Sequence, residues 1–569
     1  MRYQLTIGIA GAGGDGVVAL GSFLQKLTAE QGYFSQMARY YGAQIRGGGS
    51  AAKLGLNAQH SSLSKDTLDM LVCFNWEKYW EVRHELDLAE ETIILSENPI
   101  PSGFDVPGNV IQVAFGERSQ EATGSARNKN IVAFGFLVQM LGLPDSQVRK
   151  IIEHDVELTL LKNNLAAVEA GTQLFAEYSL PEIDLAQAKG DSSMIILHGN
   201  AAIARGAIRA GCHAFFGYPI TPASEVMQEM DNAFFNTGDV FLQAEDEIAS
   251  ASMVVGASLT GTKAITATSG PGLDLMTEVM GLAITSETPM VIVDIQRGGP
   301  STGIPSKSEQ SDLNHAIYGG HGDAPRVVMA PYDVEGCYRL AIESINIAQY
   351  YQTVVIFLSD QWLGQTLVAT DDRFIKLDYP IVERKCAEVQ EAMDYRRYQE
   401  TEDGISPMSA AGDEGLTYQT SGLTRNEKGA PSFAFETHQY LHEKRWGKLL
   451  PLTEREDLVK VFGNLNHSKG IISWGSSAQV VLETVKELAI EDDVKVCVPE
   501  LIYPLPAKVR EFIESVDTLL VIEMNYSGQF YRYIRSQIDL PKDTRLFNRA
   551  GGRIFGVREL TDPIAEVAK

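Results

Sequence analysis

Cysteine is scarce: five in 569 residues, at Cys73, Cys212, Cys337, Cys386 and Cys497, with no CxxC pair. That speaks against structural zinc or an iron–sulfur cluster held by this chain alone. The five are read instead as buried or half-buried free thiols of a reducing compartment. The ten histidines are read as scattered, without an HxxxH or HExxH pair, so a metal-activated hydrolase has no basis and no metal ligand is assigned. No run approaches the ~20 apolar residues that span a bilayer, and the opening MRYQLTIGIAGAGGDG lacks the features of a signal peptide. The expected location is the cytoplasm. Basic residues are few as well, 48 Lys plus Arg against 74 Asp plus Glu, a net charge of −26. Phosphate backbones and anionic lipid repel such a chain, so neither nucleic acid nor membrane is an expected partner.

What is present is an α/β pattern repeated three times. At ~150 residues per domain the length suits three to four domains. Residues 1–185 open with an apolar run from Leu5 to Ala10, a glycine-rich turn, and a helical spacing of Val17, Leu20, Leu24 and Leu27. The runs Leu68 to Phe74 and Thr92 to Leu95 read as strands, and Ile131 to Leu143 as a buried helix. A polar stretch at 186–193 reads as linker. In 194–375 the apolar runs His213 to Tyr218, Ala264 to Ala267, Met290 to Ile295 and Thr353 to Leu358 read as buried parallel strands between helices. Residues 376–451 are rich in charge, Gly, Ser and Pro, without apolar period. They read as a connecting arm, either disordered or packed through Tyr398, Tyr418, Phe433, Phe435 and Trp446. Residues 452–569 alternate strand and helix once more.

The turn GAGGDG, from Gly11 to Gly16, fits GxGxxG between strand and helix, where backbone N–H groups and the helix dipole favour phosphate. A dinucleotide site also needs an acid about 20 residues on for the ribose, yet 31–65 contains no Asp or Glu. The same window carries Arg39, Arg46, Lys53 and Lys65. A polyanionic small molecule suits this pattern better than NAD; a tight packing turn with solvated arginines is the alternative. Gly14-Asp15-Gly16 imitates the start of a thiamine diphosphate magnesium motif, but the asparagine expected 25 to 30 residues later is missing.

Three features of the middle unit stand at strand or helix ends, where parallel sheets bind ligands: Tyr218-Pro219-Ile220-Thr221-Pro222, Glu245-Asp246-Glu247 and Gln296-Arg297. Each has a plainer reading. Thr221 before Pro222 is a good helix N-cap, Glu247 complements a helix N-terminus, and Arg297 is a loop arginine.

YPITPASE, AEDEIASASMVVGAS, TATSGPGLDLMTE and DIQRGGPSTG together resemble the α subunit of the 2-oxoacid:ferredoxin oxidoreductases. GAGGDGV, YYGAQIRGGGS and RNKNIVAFG resemble that family's γ subunit, here fused ahead of α; WGSS, PLP at 504–506 and VIEMNYSGQ resemble the domain that follows α. RRYQETEDGISP and TSGLTRNEKGAPS resemble the 2-oxoglutarate enzymes, with one departure, Met408 after Ile405-Ser406-Pro407, where an arginine is expected. The resemblance covers nearly the whole chain.

It implies three α/β units: a Rossmann-like γ domain, a thiamine pyrimidine-binding parallel-sheet domain and a transketolase C-terminal-like domain. It implies thiamine diphosphate, held at its pyrimidine by Tyr218, Pro219, Ile220 and Glu247, with Glu247 as the carboxylic group at N1′. Arg297 and Thr221 take the substrate carboxylate. Coenzyme A is the acyl acceptor, expected against Gly13, Gly14, Gly16, Arg39 and Arg46. The Mg²⁺ and pyrophosphate holder and the Fe–S cluster, for which this chain has no ligands, are assigned to a β subunit in a dimer of αβ pairs, with ferredoxin as electron partner. The implied reaction converts 2-oxoglutarate, CoA and oxidised ferredoxin reversibly to succinyl-CoA, CO2 and reduced ferredoxin. Pyruvate or branched-chain 2-oxoacids are the alternative substrates. An NAD-dependent dehydrogenase and a non-catalytic scaffold are the readings from other classes.

Overall fold

The computed structural model describes the chain except Met1, 42–47, 61–64, Ser179, 191–192 and 389–393. The described residues form two compact units, Met1–Leu197 with Thr366–Lys376, and His198–Gln365 with Leu377–Lys569.

The first unit is built on an eight-stranded mixed sheet. In spatial order its strands are Asn109–Gln112, Ile93–Ser96, Met70–Cys73, Gln4–Ala12, Gly49–Asn57, Phe34–Tyr41, Leu367–Asp371 and Met194–Leu197. The first four run parallel, as expected for a Rossmann-like start. Phe34–Tyr41 and Gly49–Asn57 pair antiparallel, from Phe34 opposite Asn57 to Tyr41 opposite Ser50, so Arg39 and Lys53 of the acid-free window lie on sheet strands. The sequence reading placed Met194–Leu197 and Leu367–Asp371 in the middle unit. They pair with each other, and Leu367–Asp371 pairs with Phe34–Tyr41, because the exposed edge of that strand needs a ladder partner. Helices Val17–Glu30, Lys129–Met140 and Leu158–Glu177 cover the sheet through Leu20, Leu24, Phe134 and Phe136.

The second unit contains two sheets. Seven strands lie in the order Leu501–Tyr503, Val327–Met329, Val354–Asp360, Met290–Gln296, Ala264–Thr268, Ala214–Gly217 and Val240–Gln243, parallel apart from Leu501–Tyr503. Strands such as Met290–Gln296 are buried along their whole length, which is why they read as unbroken apolar runs. The second sheet orders Val459–Gly463, Lys495–Pro499, Lys469–Ser473, Thr518–Glu523 and Asp543–Asn548, with only Val459–Gly463 antiparallel. One core joins the two sheets of this unit, through Ile292, Ile356, Trp474, Val521 and Phe530.

The arm is ordered over its described residues and packed into this unit. Tyr398 is buried, as are Arg397, Arg425, Lys444 and Lys448. Phe433, Phe435 and Trp446, expected as anchors, are exposed; the arm packs through paired charges rather than these rings. Four cysteines are buried and Cys386 is exposed. No helix among the described residues is long and apolar enough to cross a membrane.

Candidate active site

Four strand ends meet at the carboxyl edge of the seven-stranded sheet. Ala214–Gly217 runs into Tyr218-Pro219-Ile220-Thr221, Val240–Gln243 leads to helix Glu247–Leu259, Ala264–Thr268 ends at the Gly270-Pro271-Gly272 turn, and Met290–Gln296 ends at Arg297. Strand carbonyls and helix N-termini converge here, which makes this edge the ordinary ligand crevice of a parallel sheet.

Glu247 is 6% exposed, at the first position of its helix. The helix is capped not by it but by Asp246, whose Oδ1 accepts from the Ala249 N–H at 2.8 Å. That frees the Glu247 carboxylate from a capping duty. Glu245, two residues earlier, is exposed. A Cβ on Gly272 would lie 2.6 Å from Glu247 Oε1 and 2.1 Å from Thr268 Oγ1, so only glycine lets this turn close on the carboxylate. A Cβ on Gly270 would meet Asp312 Oδ2 at 2.7 Å. The glycine turn is thus gripped by Glu247 on one flank and Asp312 on the other.

Arg297 is 7% exposed. Its Nη1 donates to the Thr221 carbonyl at 2.6 Å, tying the 218–221 segment to the end of Met290–Gln296. Its Nε is buried with no partner among the described residues. Thr221 does not cap: the following helix starts at Ser224 with Ala223 at its N-cap. The contribution of Thr221 to Arg297 is a main-chain oxygen, and its side chain is exposed, as are Tyr218 and Pro219.

Arg297 lines a cavity of about 710 Å³ with Pro271, Asp274, Asp312, His315, Asn525, Tyr526 and Gln529. Two carboxyls that the sequence reading passed over belong to this region: Asp312 on the cavity wall and Asp294 on the strand that ends at Arg297. Both oxygens of fully buried Asp294 and Oδ2 of Asp312 lack hydrogen-bond partners among the described residues. Burial, then the charges of Asp312 and Asp274, push the Asp294 carboxyl well above its ordinary range. Burial, Asp274 and Glu309 likewise push Asp312 up to about 7. Such a pair holds a proton near neutrality, a pattern concentrated at functional sites. His315 Nδ1 lies 3.3 Å from Asp274 Oδ1 on the same wall. The structure therefore brings Arg297 and Thr221 into contact, and it seats Glu247 against Gly272 and Asp312 against Gly270 of the same turn. Glu247 and residues 218–221 are not among the residues lining the cavity.

Residues 205–443 match the family model described as the thiamine diphosphate-binding region of pyruvate flavodoxin/ferredoxin oxidoreductase. Residues 6–174 match that of pyruvate ferredoxin/flavodoxin oxidoreductase. The 2-oxoacid:ferredoxin oxidoreductase subunit alpha of a Sulfolobus species is 30% identical over 100% of this chain and 97% of its own length. The chain belongs to the 2-oxoacid:ferredoxin oxidoreductase family. It is an oxidoreductase alpha subunit of that thiamine-dependent family, as the resemblance implied. The 2-oxoglutarate synthase subunit KorA of Methanothermobacter thermautotrophicus is 35% identical over 65% of this chain and 98% of its own. A solved 2-oxoglutarate:ferredoxin oxidoreductase from Magnetococcus marinus, with 2-oxoglutarate, coenzyme A and succinyl-CoA bound, superposes with a TM-score of 0.92 at 33% identity, covering 100% of both chains.

Within this alpha subunit the N-terminal glycine turn is partly satisfied internally. The Ala12 N–H donates to Asp15 Oδ2 at 2.7 Å and the Gly13 N–H to the Gly48 carbonyl at 3.0 Å. Asp15 in turn pairs with Lys129 at 2.9 Å. Gly16, at φ 75°, caps helix Val17–Glu30, and a Cβ there would strike Asn130 at 2.3 Å. The turn has its own carboxylate where an anion would otherwise take the Ala12 amide. Arg39 is half-buried on Phe34–Tyr41, and Arg46 lies outside the described residues. The expected surplus of positive charge is reduced where Lys65 pairs with Asp69 at 3.5 Å, and the Lys53 ammonium is held by the Asp66 carbonyl at 2.9 Å. Met408, the departure from the 2-oxoglutarate pattern, is 1% exposed inside the arm, where its sulfur accepts from Arg384 Nη1 at 3.6 Å. It does not line the 710 Å³ cavity.

Proposed function

We propose that this alpha subunit works on 2-oxoglutarate, catalysing with a second subunit the reversible reaction of 2-oxoglutarate, CoA and two oxidised ferredoxins to succinyl-CoA, CO2 and two reduced ferredoxins. The observation that carries the reading is the end-to-end likeness to the Magnetococcus marinus enzyme, whose solved structure holds 2-oxoglutarate, coenzyme A and succinyl-CoA. The arrangement around Arg297 supports it. A buried arginine at the cavity wall, held by the Thr221 carbonyl and with Nε unshared, offers a preorganised fork for a 2-oxoacid carboxylate.

The residues present fit one end of thiamine diphosphate. Glu247 is a buried carboxyl relieved of capping and flanked by a turn that tolerates no side chain. Bound there, thiamine supplies the nucleophile for decarboxylating a 2-oxoacid. Glu247 holds and returns the proton exchanged at the pyrimidine N1′, with Tyr218, Pro219 and Ile220 closing against the ring. Arg297 orients the substrate carboxylate, and Thr221 fixes Arg297. For CoA we assign Gly13, Gly14, Gly16, Arg39 and Arg46, with Arg39 and Arg46 supplying charge to its phosphates. The Mg²⁺ and pyrophosphate site and the Fe–S cluster belong to the β subunit. Tyr218, Ile248, Met253 and Leu275, exposed in the same unit as Glu247, suit burial against that partner.

The test is reconstitution. The chain combined with its β subunit should reduce ferredoxin with 2-oxoglutarate and CoA, at a kcat/KM at least tenfold above that for pyruvate or 3-methyl-2-oxobutanoate. A preference for either of those, or turnover by the isolated chain, overturns the assignment.

A further inference from the structure

The arm buries far more positive charge than its acids balance. Arg397, Arg425, Lys444, Arg445 and Lys448 are each no more than 6% exposed. The single carboxylate that pairs with them among the described residues is Glu287, bound by Lys444 at 2.8 Å and Lys448 at 2.9 Å. Arg397 donates to the Glu287 carbonyl, and Arg425 to hydroxyls and carbonyls at residues 398, 420, 421 and 423. Arg445 makes no such bond, and its Nε is buried without a partner. In a protein of net charge −26 this is a local surplus of the opposite sign, and an unpaired buried cation is costly unless something neutralises it.

Arg445 lines a cavity of about 230 Å³ that also receives His321, His438 and His442, with Glu278 and Asp323 as its acids. His438 and His442 are an HxxxH pair that the reading of the histidines missed. They stand four apart on helix Phe435–Gly447 with ring centroids 4.6 Å apart, and Thr424 lies 3.0 Å from His438 Nδ1. Exposure grades inward: His321, Asp323 and His438 are exposed, His442 half-buried and Arg445 buried. The cavity is a funnel with a guanidinium near its base and imidazoles toward its mouth.

We propose that this cavity is a binding site for a compact oxoanion of two negative charges, of the sulfate, phosphate or short dicarboxylate class, distinct from the residues assigned to thiamine, 2-oxoacid and CoA. Arg445 supplies the fixed charge and geometry. The His442 imidazole supplies charge on demand: a bound dianion favours its protonated form, so affinity rises as pH falls. Burial, then Arg445 and His438, hold the His442 imidazole below its ordinary range, while Asp323 opposes this. The site therefore takes an anion more readily as pH falls than at pH 8.

Sulfate tests this, since its charge is constant over that range. The full-length chain, alone and with its β subunit, is titrated with sulfate by calorimetry at pH 6 and pH 8, and with malonate as the carboxylate arm. Saturable binding near or below about 1 mM at pH 6, about tenfold weaker at pH 8 and at least tenfold weaker in Arg445→Gln, supports the site. Tighter binding of sulfate or of malonate assigns the tetrahedral or the planar oxoanion as its occupant. His321→Asn, at the exposed mouth, keeps the test open if Arg445→Gln fails to fold, and should also weaken binding. Selenate soaked into crystals should place anomalous density in the cavity. No saturable binding of either anion, unchanged affinity in a folded variant, or density elsewhere only, overturns it. None of these readouts uses turnover, so the result stands apart from the substrate assignment.

Discussion

Glu287→Gln should be the most destabilising single change in the arm's footing, and its cost should depend on pH in a definite way. The carboxylate is 1% exposed. Burial alone would raise its pKa, but the ammoniums of Lys444 and Lys448 and the Arg397 guanidinium outweigh that and hold it well below the carboxylate range. Removing the charge leaves two buried ammoniums facing an amide; breaking a buried pair in this way costs ~3–5 kcal/mol, against ~1 kcal/mol or less for a surface pair. Burial, and then the proximity of Lys444 despite Glu287, already lowers Lys448 from 10.5 to about 8. A lysine with a depressed folded pKa binds fewer protons in the fold than in the unfolded chain between those values, so its linkage makes stability rise with pH there. Without Glu287 its folded pKa falls further and the recovery begins earlier. The variant's deficit, read from urea midpoints with m held constant, should therefore be largest at pH 6–7 and shrink toward pH 9. At the acid end the wild type should lose stability as pH falls below the ordinary glutamate range, toward the depressed folded pKa, and the variant should not show that component. A deficit under ~1 kcal/mol at pH 7, or one that is flat from pH 6 to 9, would refute the account of a buried charge held by its partners.

Other expectations follow from the candidate site. Glu247→Gln should cut 2-oxoacid-dependent ferredoxin reduction by roughly 10²–10⁴-fold while leaving assembly with the β subunit intact; activity within twofold of wild type rejects the proton-transfer role. Arg297→Lys should raise the 2-oxoacid KM and lower kcat, because one ammonium cannot hold the Thr221 carbonyl and a carboxylate as a fork does; unchanged constants would sink the substrate role. Thr221→Val should melt at the wild-type temperature, because the structure gives Thr221 no capping bond, whereas a midpoint lower by ~1 kcal/mol restores the cap. Asp312→Asn should stabilise the chain at pH 8 and match wild type near pH 4. A carboxyl raised to about 7 contributes stability below its unfolded pKa that is lost as pH rises through the folded value; parallel stability–pH curves would contradict the buried pair.

The parallel strands were legible because burial on both faces leaves an unbroken apolar run, as in Met290–Gln296, Val354–Asp360 and Thr518–Glu523. Phe34–Tyr41 and Gly49–Asn57 were not, although most residues in them are buried. Their polar and glycine positions are paid for by cross-strand pairing that sequence cannot display, and the basic residues drew the eye to charge. At the site, Glu247 and Arg297 stood out because motif and strand end coincide. Asp294 and Asp312 did not: the first looks like the polar stop of an apolar strand and the second like a loop acid. Only the fold closes the 18-residue gap between them and removes their donors. The arm marks the deeper limit. Composition leaves 376–451 as an arm either disordered or packed through its aromatics, yet Lys444 and Lys448 end buried against Glu287, which lies over 150 residues earlier at the end of helix Thr277–Ser286. Charge density predicts solvation only while each charge lacks a partner, and the partner is a property of the tertiary fold. The same reasoning gives the leftover charge its meaning. Once Glu287 has bonded two lysines, Arg445 remains buried with its Nε unshared among the described residues, at a cavity where histidines stand beside Glu278 and Asp323, and a bound oxoanion would add the counter-charge proposed for it.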